Sequence, residues 1–400
     1  MSPRSNSFIS SFHGLSKEVW WLALITLINR AGTMVIPFMS LYLTEKQGFS
    51  LADVGWLMSA FGAGSVLGAL LGGKLTDAIG SYKVMVLSLL LSAFFFIFLQ
   101  YVTGFYPICV AVFMVMLAAD MFRPAMFVAL SAYSKPENKT RSVTLIRMAI
   151  NLGFSLGPVI GGLIIHSLGY SLLFWIDGVT CIIAMVILLR RLNPKKAVVL
   201  DAPDLMANAS PYKDFSFMLF FFAMLFFAVV FLQLFSTMPL YYRDVHFLSE
   251  FEIGLLMGLN GLVIFFLEMP LVKHLEGKGK SNARLMIQGV FLVGVSFLVL
   301  NLTDWSGVLI IGMLVITIGE MVIFPFSNAF AMKRSKRGRQ GQYMALYAVS
   351  FSVAHIIGHN ASLQLINVKG YEFAWYFLVL LSMISMVLIV WLGRRLKAGL

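Results

Sequence analysis

Seven carboxyl and guanidinium side chains of this 400-residue chain lie well inside long apolar runs, where a charge is costly and is kept for a reason. Four are carboxyls (Asp120, Asp177, Glu268, Glu320) and three are guanidiniums (Arg30, Arg123, Arg147). A carboxyl in a low-dielectric surround favours its protonated form, and a neighbouring guanidinium favours the ionised one. If a movement of the chain changes that neighbourhood, a proton is bound in one state and released in the other. Glu320, with no cation within a turn of it, and Asp120 are the first candidates for such proton coupling, and Glu268 is the third. Asp120 and Arg123 stand three apart, on one face of a continuous helix, so a static pair is the competing reading. Glu268 could instead stretch toward Lys273. Asp177 reads as structural. Asn29, Arg30, Arg123, Arg147, Tyr343, Tyr347 and His355 are the polar groups expected to line a cavity between helices. His355 and His359 have an i, i+4 spacing that suits a metal, but no third ligand accompanies them and no metal site is expected. The two cysteines, Cys109 and Cys181, both fall in apolar runs, so no disulfide framework exists.

The elements that hold these groups are set by composition. The chain is 60% hydrophobic and 12% charged, with mean hydropathy +0.88, outside the balance of a soluble domain. Runs near the length that crosses a bilayer core occupy about 18–43, 51–73, 82–103, 106–133, 141–166, 171–190, 214–241, 252–273, 284–302, 306–332, 341–366 and 371–393. In lipid the backbone must pair within its own segment, so these twelve runs are helices. Of the 30 Lys and Arg, 24 fall in the termini and in alternate loops. These include Arg4, Lys195, Lys196 and the run Lys333–Arg339; the opposite loops hold only Lys46, Arg243 and Lys369. This bias places both termini in the cytoplasm and accounts for the basic run without nucleic acid. The first run is long enough to remain a span rather than a cleaved signal. An integral protein of the plasma membrane, a bacterial inner membrane, is expected.

Ser50-Leu51-Ala52-Asp53-Val54-Gly55-Trp56-Leu57-Met58 returns as Ser249-Glu250-Phe251-Glu252-Ile253-Gly254-Leu255-Leu256-Met257. At the same offset Lys74 meets Lys273, Asp77 meets Glu276 and Gly80 meets Gly279, and Glu320 lies 200 positions after Asp120. A repeat of half the chain implies two homologous halves: 1–191, a linker at 192–213 marked by Pro194, Pro203 and Pro211, and 214–400.

After the second run comes Gly73-Lys74-Leu75-Thr76-Asp77-Ala78-Ile79-Gly80-Ser81-Tyr82-Lys83. Here the chain resembles the major facilitator superfamily, whose second–third loop carries G-x-L-x-D-R-x-G-R-R; Gly73, Leu75, Asp77, Gly80 and Lys83 match, while Ala78 and Ser81 replace basic residues. The resemblance gives Asp77 a part in latching the halves on the cytoplasmic side. In the fifth run, Gly153, Gly157, Gly161 and Gly162 leave a face for close helix packing, and Pro158 deletes a backbone hydrogen bond. Gly157-Pro158-Val159-Ile160-Gly161-Gly162 is similar to an element of the drug:proton antiporters. The resemblance implies an all-α membrane protein of twelve helices in two pseudo-symmetric six-helix halves, working by alternating access. It implies export of a small amphipathic compound against protons, with a lipid bilayer, substrate and protons as partners, no cofactor, and a monomer. Ile318-Gly319-Glu320 with Pro325 is similar to the peptide-transporter branch, so peptide uptake by symport is the alternative. That branch's E-x-x-E-R-F is here Thr26-Leu27-Ile28-Asn29-Arg30-Ala31, in which only the Arg matches. A transport-inactive receptor is the third reading. No P-loop and no nucleophile–base pattern occurs, so no enzyme is expected.

Overall fold

The computed structural model describes residues 14–135, 139–194, 210–278, 281–303, 305–335 and 340–398. Arg4, Lys195, Lys196, Lys280, Lys336, Arg337, Arg339, Gly279 and most of the expected linker lie outside the described residues, as do the side chains of Lys139, Arg141 and Glu276. The helices are α1 (Lys17–Lys46), α2 (Leu51–Ile79), α3 (Ser81–Leu99), α4 (Phe105–Tyr133), α5 (Lys139–Leu168) and α6 (Tyr170–Arg191). They continue as α7 (Phe215–Phe235, extended by Thr237–Asp244), α8 (Glu250–Gly277), α9 (Asn282–Leu300) and α10 (Gly307–Ser335). The last helical stretch, Gln340–Lys397, turns at Gly370 into α11 (340–369) and α12 (371–397). Twelve spans result among the described residues, as the hydropathy requires. Large apolar side chains stay exposed around the bundle, among them Trp56, Phe94, Val110, Phe266 and Val387. Such a belt is uncovered in water and suits lipid.

The sequence repeat is written into the backbone. Gly169 joins α5 to α6 at φ 81°, ψ 173°, and Gly370 joins α11 to α12 at φ 81°, ψ 174°. A side chain at either φ is strained, so glycine is required there. The Ser50/Ser249 echo marks two serine N-caps, the second of them a full capping box. Ser50 Oγ accepts from Asp53 N at 3.2 Å. Ser249 Oγ accepts from Glu252 N at 3.4 Å, while Glu252 returns a carboxylate to Ser249 N at 2.8 Å.

Both halves also break their first helix, a feature hydropathy does not reveal. In α1 the helix stops at Ala31 and restarts at Val35. Asp177 of α6 caps the restart, accepting from Met34 N at 3.0 Å and Val35 N at 2.9 Å. This gives the fully buried carboxyl the structural role expected of it. Gly32 is needed because a Cβ there would stand 1.9 Å from Thr180 Oγ1. In α7 the chain tightens to a 3₁₀ turn at Leu232–Phe235, then changes direction at Ser236. Gln233 Nε2 donates to Val229 O at 2.7 Å, and His359 Nδ1 lies 2.8 Å from Ser236 Oγ. The repeat therefore conserves the break and changes what holds it.

Asp214 starts α7 just before its span. Its carboxylate accepts from Phe217 N at 3.1 Å, from Arg334 Nε and Nη2 at 2.7 Å each, and from Tyr343 Oη at 3.1 Å. Burial raises this carboxyl, but the Arg334 fork, the Phe217 amide and Tyr343 together hold it below the ordinary carboxylate value. A depressed folded-state value contributes stability above the unfolded value of about 3.9 and loses it as pH falls through the lower, folded one. Asp214→Asn is expected to lower stability at pH 7 by about 2–3 kcal/mol, since Arg334 is left without its carboxylate. It should also flatten the acid limb of a melting-temperature profile measured below pH 4. An unchanged melting point at pH 7 would refute the assignment.

Candidate functional site

The buried charges gather in two groups at mid-depth, one in each repeat-equivalent corner. In the first, Pro124 supplies no N–H to the carbonyl of Asp120, and α4 breaks at Met121. The backbone at Met121 nevertheless keeps helical angles (φ −64°, ψ −26°), so Asp120 and Arg123 stay three apart on the helix, yet the pair that was the competing reading does not form. Asp120 accepts instead from Ser65 Oγ of α2. Arg123 is exposed and makes no ion pair among the described residues. Arg30, at the last turn before the α1 break, lies within electrostatic reach of Asp120 and Arg123, with its guanidinium 5.7 Å over the Phe154 ring. Asn29 is buried and reaches Cys181 Sγ at 4.0 Å.

In the second group Glu320 of α10 accepts from Asn260 Nδ2 of α8 at 3.1 Å, and Asn260 also reaches Thr317 Oγ1 at 2.9 Å. Asp120 with α2 and Glu320 with α8 are the same arrangement in two halves: a carboxyl on the fourth helix, bonded by a short polar residue of the second. Glu268 does not stretch toward Lys273. Its Oε1 lies 2.5 Å from Arg147 Nη2 and its Oε2 3.3 Å from Asn151 Nδ2, both on α5. That pair crosses between halves and joins Glu268, 12% exposed, to a guanidinium that is 49% exposed although it lies well inside the span.

The cavity residues divide. His355 stands on α11 against α2: Gly62 admits its backbone, where a Cβ would meet His355 C at 2.8 Å. Its Nδ1 lies 3.2 Å from His359 Nε2, and Asp120 is within electrostatic reach. Tyr347 is buried, its hydroxyl 2.9 Å from Ser327 Oγ and its ring stacked on Phe220. It packs beside Phe351 and Phe324, which are only partly buried. Tyr343 departs from expectation. It is fully buried, and its hydroxyl serves the Asp214–Arg334 cluster rather than a cavity wall. Among the described residues no group of three His, Cys, Asp or Glu is placed to hold a metal.

The packing between halves is concentrated at the end opposite the basic loops. Gly162 lies against Glu250 O, Gly254 against Pro158 O, and Gly261 against Ser155, so α5 and α8 form one tight seam. Gly153, Gly157 and Gly161 face elsewhere, against Arg30, Ala31 and Met34 of α1. On the α2–α11 side, Ser59 Oγ donates to Ile356 O at 2.8 Å and Gln364 Nε2 to Ala52 O at 3.0 Å. Glu45 accepts from Arg243 Nε at 2.7 Å, and Glu250 lies 3.5 Å from the same guanidinium. At the basic end Asp77 and Lys83 are exposed without ion-pair partners among the described residues, Gly80 turns the chain at φ 90°, and Gly73 has open space beside it. Asn260, Asn151, Ser65 and the Glu45–Arg243–Glu250 clasp were not anticipated. Asn260 and Asn151 each carried a signal, as lone amides in apolar stretches.

These features define a polytopic membrane protein with charged groups inside its spans and an ion pair there joining two helical halves. The model of the Major Facilitator Superfamily matches residues 22–359, and the chain belongs to that superfamily. It is a transporter and not an enzyme. It is 25% identical over 350 residues to the uncharacterized MFS-type transporter YqjV of Bacillus subtilis, covering 85% of this chain and 84% of that one. It is 22% identical over 343 residues to the multidrug resistance protein MdtH of Aeromonas salmonicida, covering 85% of each. The fold superposes on the crystal structure of a POT family transporter in complex with 5-aminolevulinic acid. The TM-score is 0.80 at 17% identity, over 96% of this chain and 97% of that chain.

Proposed function

We propose that this transporter couples protons to the export of a small amphipathic compound by alternating access, with halves at 1–191 and 214–400 and both termini in the cytoplasm of a bacterial inner membrane. The observation that carries the reading is the Glu268–Arg147 pair, a proton-dependent tie between α8 and α5 set inside both spans, on the basic side of their centres. The pair needs an ionised Glu268, so a proton arriving there removes the tie and frees the halves to rock. Glu320 and Asp120 serve as further proton sites. Arg30, Arg123, His355 and Tyr347 face the substrate, and the partly buried rings of Phe324 and Phe351 offer it an apolar wall. The tight seam at one end and the unpartnered Asp77 at the other describe the state open to the basic end. The similarity to the multidrug resistance protein MdtH supports an amphipathic cargo.

In proteoliposomes an inward proton gradient is expected to drive substrate outward against its own gradient; co-directional movement of proton and substrate would replace export with symport. Glu320→Gln keeps the shape and the Asn260 contact but removes the ionisable group. It should abolish gradient-driven transport, by at least about a hundredfold, while sparing substrate exchange. Pumping at the unmodified rate would take Glu320 out of the coupling.

A further inference from the structure

At the basic end, away from the mid-depth charges, the start of α1 and the end of α6 enclose a cleft of about 310 Å³ lined by Lys17, Glu18, Trp21, Arg190, Arg191 and Asn193. Three cations face one acid. The Arg191 guanidinium lies 4.7 Å over the Trp21 ring, which fixes its plane, and its N–H edge takes no ion-pair partner among the described residues. The frame is built rather than incidental. Ser16 Oγ donates to Tyr133 O at 2.9 Å, and Tyr133 Oη donates to Asn193 O at 2.7 Å. The end of α4 thus pins both walls. Nothing in the transport cycle described above uses this cleft.

We propose that the α1–α6 cleft binds a phosphate group, that of an anionic glycerophospholipid seated at the membrane surface. The chemistry common to lipid and free phosphate is a phosphate oxygen accepting from Arg190, Arg191 and Lys17. Position decides for the lipid. The cleft lies where the first span begins and the sixth ends. Below it the same helices expose Trp20, Leu24 and Leu189 at 46%, 37% and 50%, apolar surface that acyl chains of the same molecule cover. Basic pockets between helices at this level hold anionic headgroups through charge and fixed geometry together.

Native mass spectrometry of the full-length protein in detergent, titrated with phosphatidylglycerol or phosphatidylcholine, tests this. Phosphatidylglycerol is expected to bind in preference. The triple variant Lys17→Gln/Arg190→Gln/Arg191→Gln should weaken it about tenfold or more. Arg191→Lys keeps the charge, and so the topology, but loses the planar stack on Trp21; it should weaken binding about two- to threefold. Lys74→Gln/Lys273→Gln/Arg284→Gln, which removes three charges elsewhere at the same end, should leave binding unchanged. Equal weakening by that control, or equal retention of phosphatidylcholine, overturns the site. Displacement of phosphatidylglycerol by millimolar inorganic phosphate overturns the lipid assignment in favour of a free-phosphate site.

Discussion

Glu268→Gln is expected to shift the transporter out of the state open to the basic end and to remove the response of that equilibrium to pH. In the unmodified chain Glu268 takes Arg147 on one oxygen and Asn151 on the other. Glutamine fills the same space, but its amide nitrogen would meet a donor on one side or the other, and Arg147 would lose its counter-charge. A fully desolvated pair would cost about 3–5 kcal/mol to break. Arg147 is half exposed, and solvent screening reduces the cost to about 1–2 kcal/mol, a population change of roughly five- to thirtyfold. The sign follows from the pair's requirement for an ionised carboxylate: acidification lowers the fraction of molecules with the tie, and Glu268→Gln should hold that fraction low at every pH. The two partners also differ. Arg147→Gln strands the less exposed member, so it should shift the equilibrium further than Glu268→Gln does. Distances between spin labels at Lys46→Cys and Lys369→Cys, with Cys109 and Cys181 replaced, report the equilibrium. A Glu268→Gln protein that responds to pH as the unmodified one does would exclude Glu268 as the coupling carboxyl.

What could be read from sequence depended on whether the cause was local. Twelve spans were legible because lipid forces each apolar run to pair its own backbone. The Ser50/Ser249 repeat was legible as identity, while the caps these serines form and the turn at Gly370 emerge from the backbone. The breaks in α1 and α7 were not legible, because Asp177 and His359, which hold them, lie more than a hundred positions away. Asp120 and Arg123 have the spacing of a pair, whereas the partner Asp120 takes, Ser65, comes from α2, 55 positions away. Glu268 offered Lys273 as a neighbour in sequence, whereas its partner comes from another half. The glycines of α5 were nearly legible. Gly153, Gly157 and Gly161 recur every four residues on one face, while Gly162 lies about 100° away, and the structure gives the first three to α1 and the last to α8. Periodicity shows that faces exist; which helix fills each face is a tertiary fact.

That division of glycines makes the seam itself testable, because the two ends of the bundle should answer a single methyl group in opposite ways. At Gly254 a Cβ would stand 2.3 Å from Pro158 O and 3.0 Å from Pro158 C. These are backbone atoms of a helix also held by α1, so the neighbour cannot move aside as a flexible side chain would. Overpacking of this kind costs typically about 1–3 kcal/mol, and it falls only on the state in which α5 and α8 are closed at this end. Gly254→Ala should therefore separate the Lys46→Cys and Lys369→Cys labels in a larger share of molecules. It should also slow transport, because the cycle can no longer return readily to the state open to the basic end. Gly73, beside the exposed Asp77, has nothing within 4 Å of its Cβ position. Alanine there costs nothing in this state and gains roughly 1 kcal/mol of helix propensity. If the basic end closes around Asp77 in the opposite state, Gly73→Ala penalises that state and draws the labels together. Two alanines that move the label distance in the same direction would show that the tight α5–α8 contacts are static packing and that the halves do not rock about this seam.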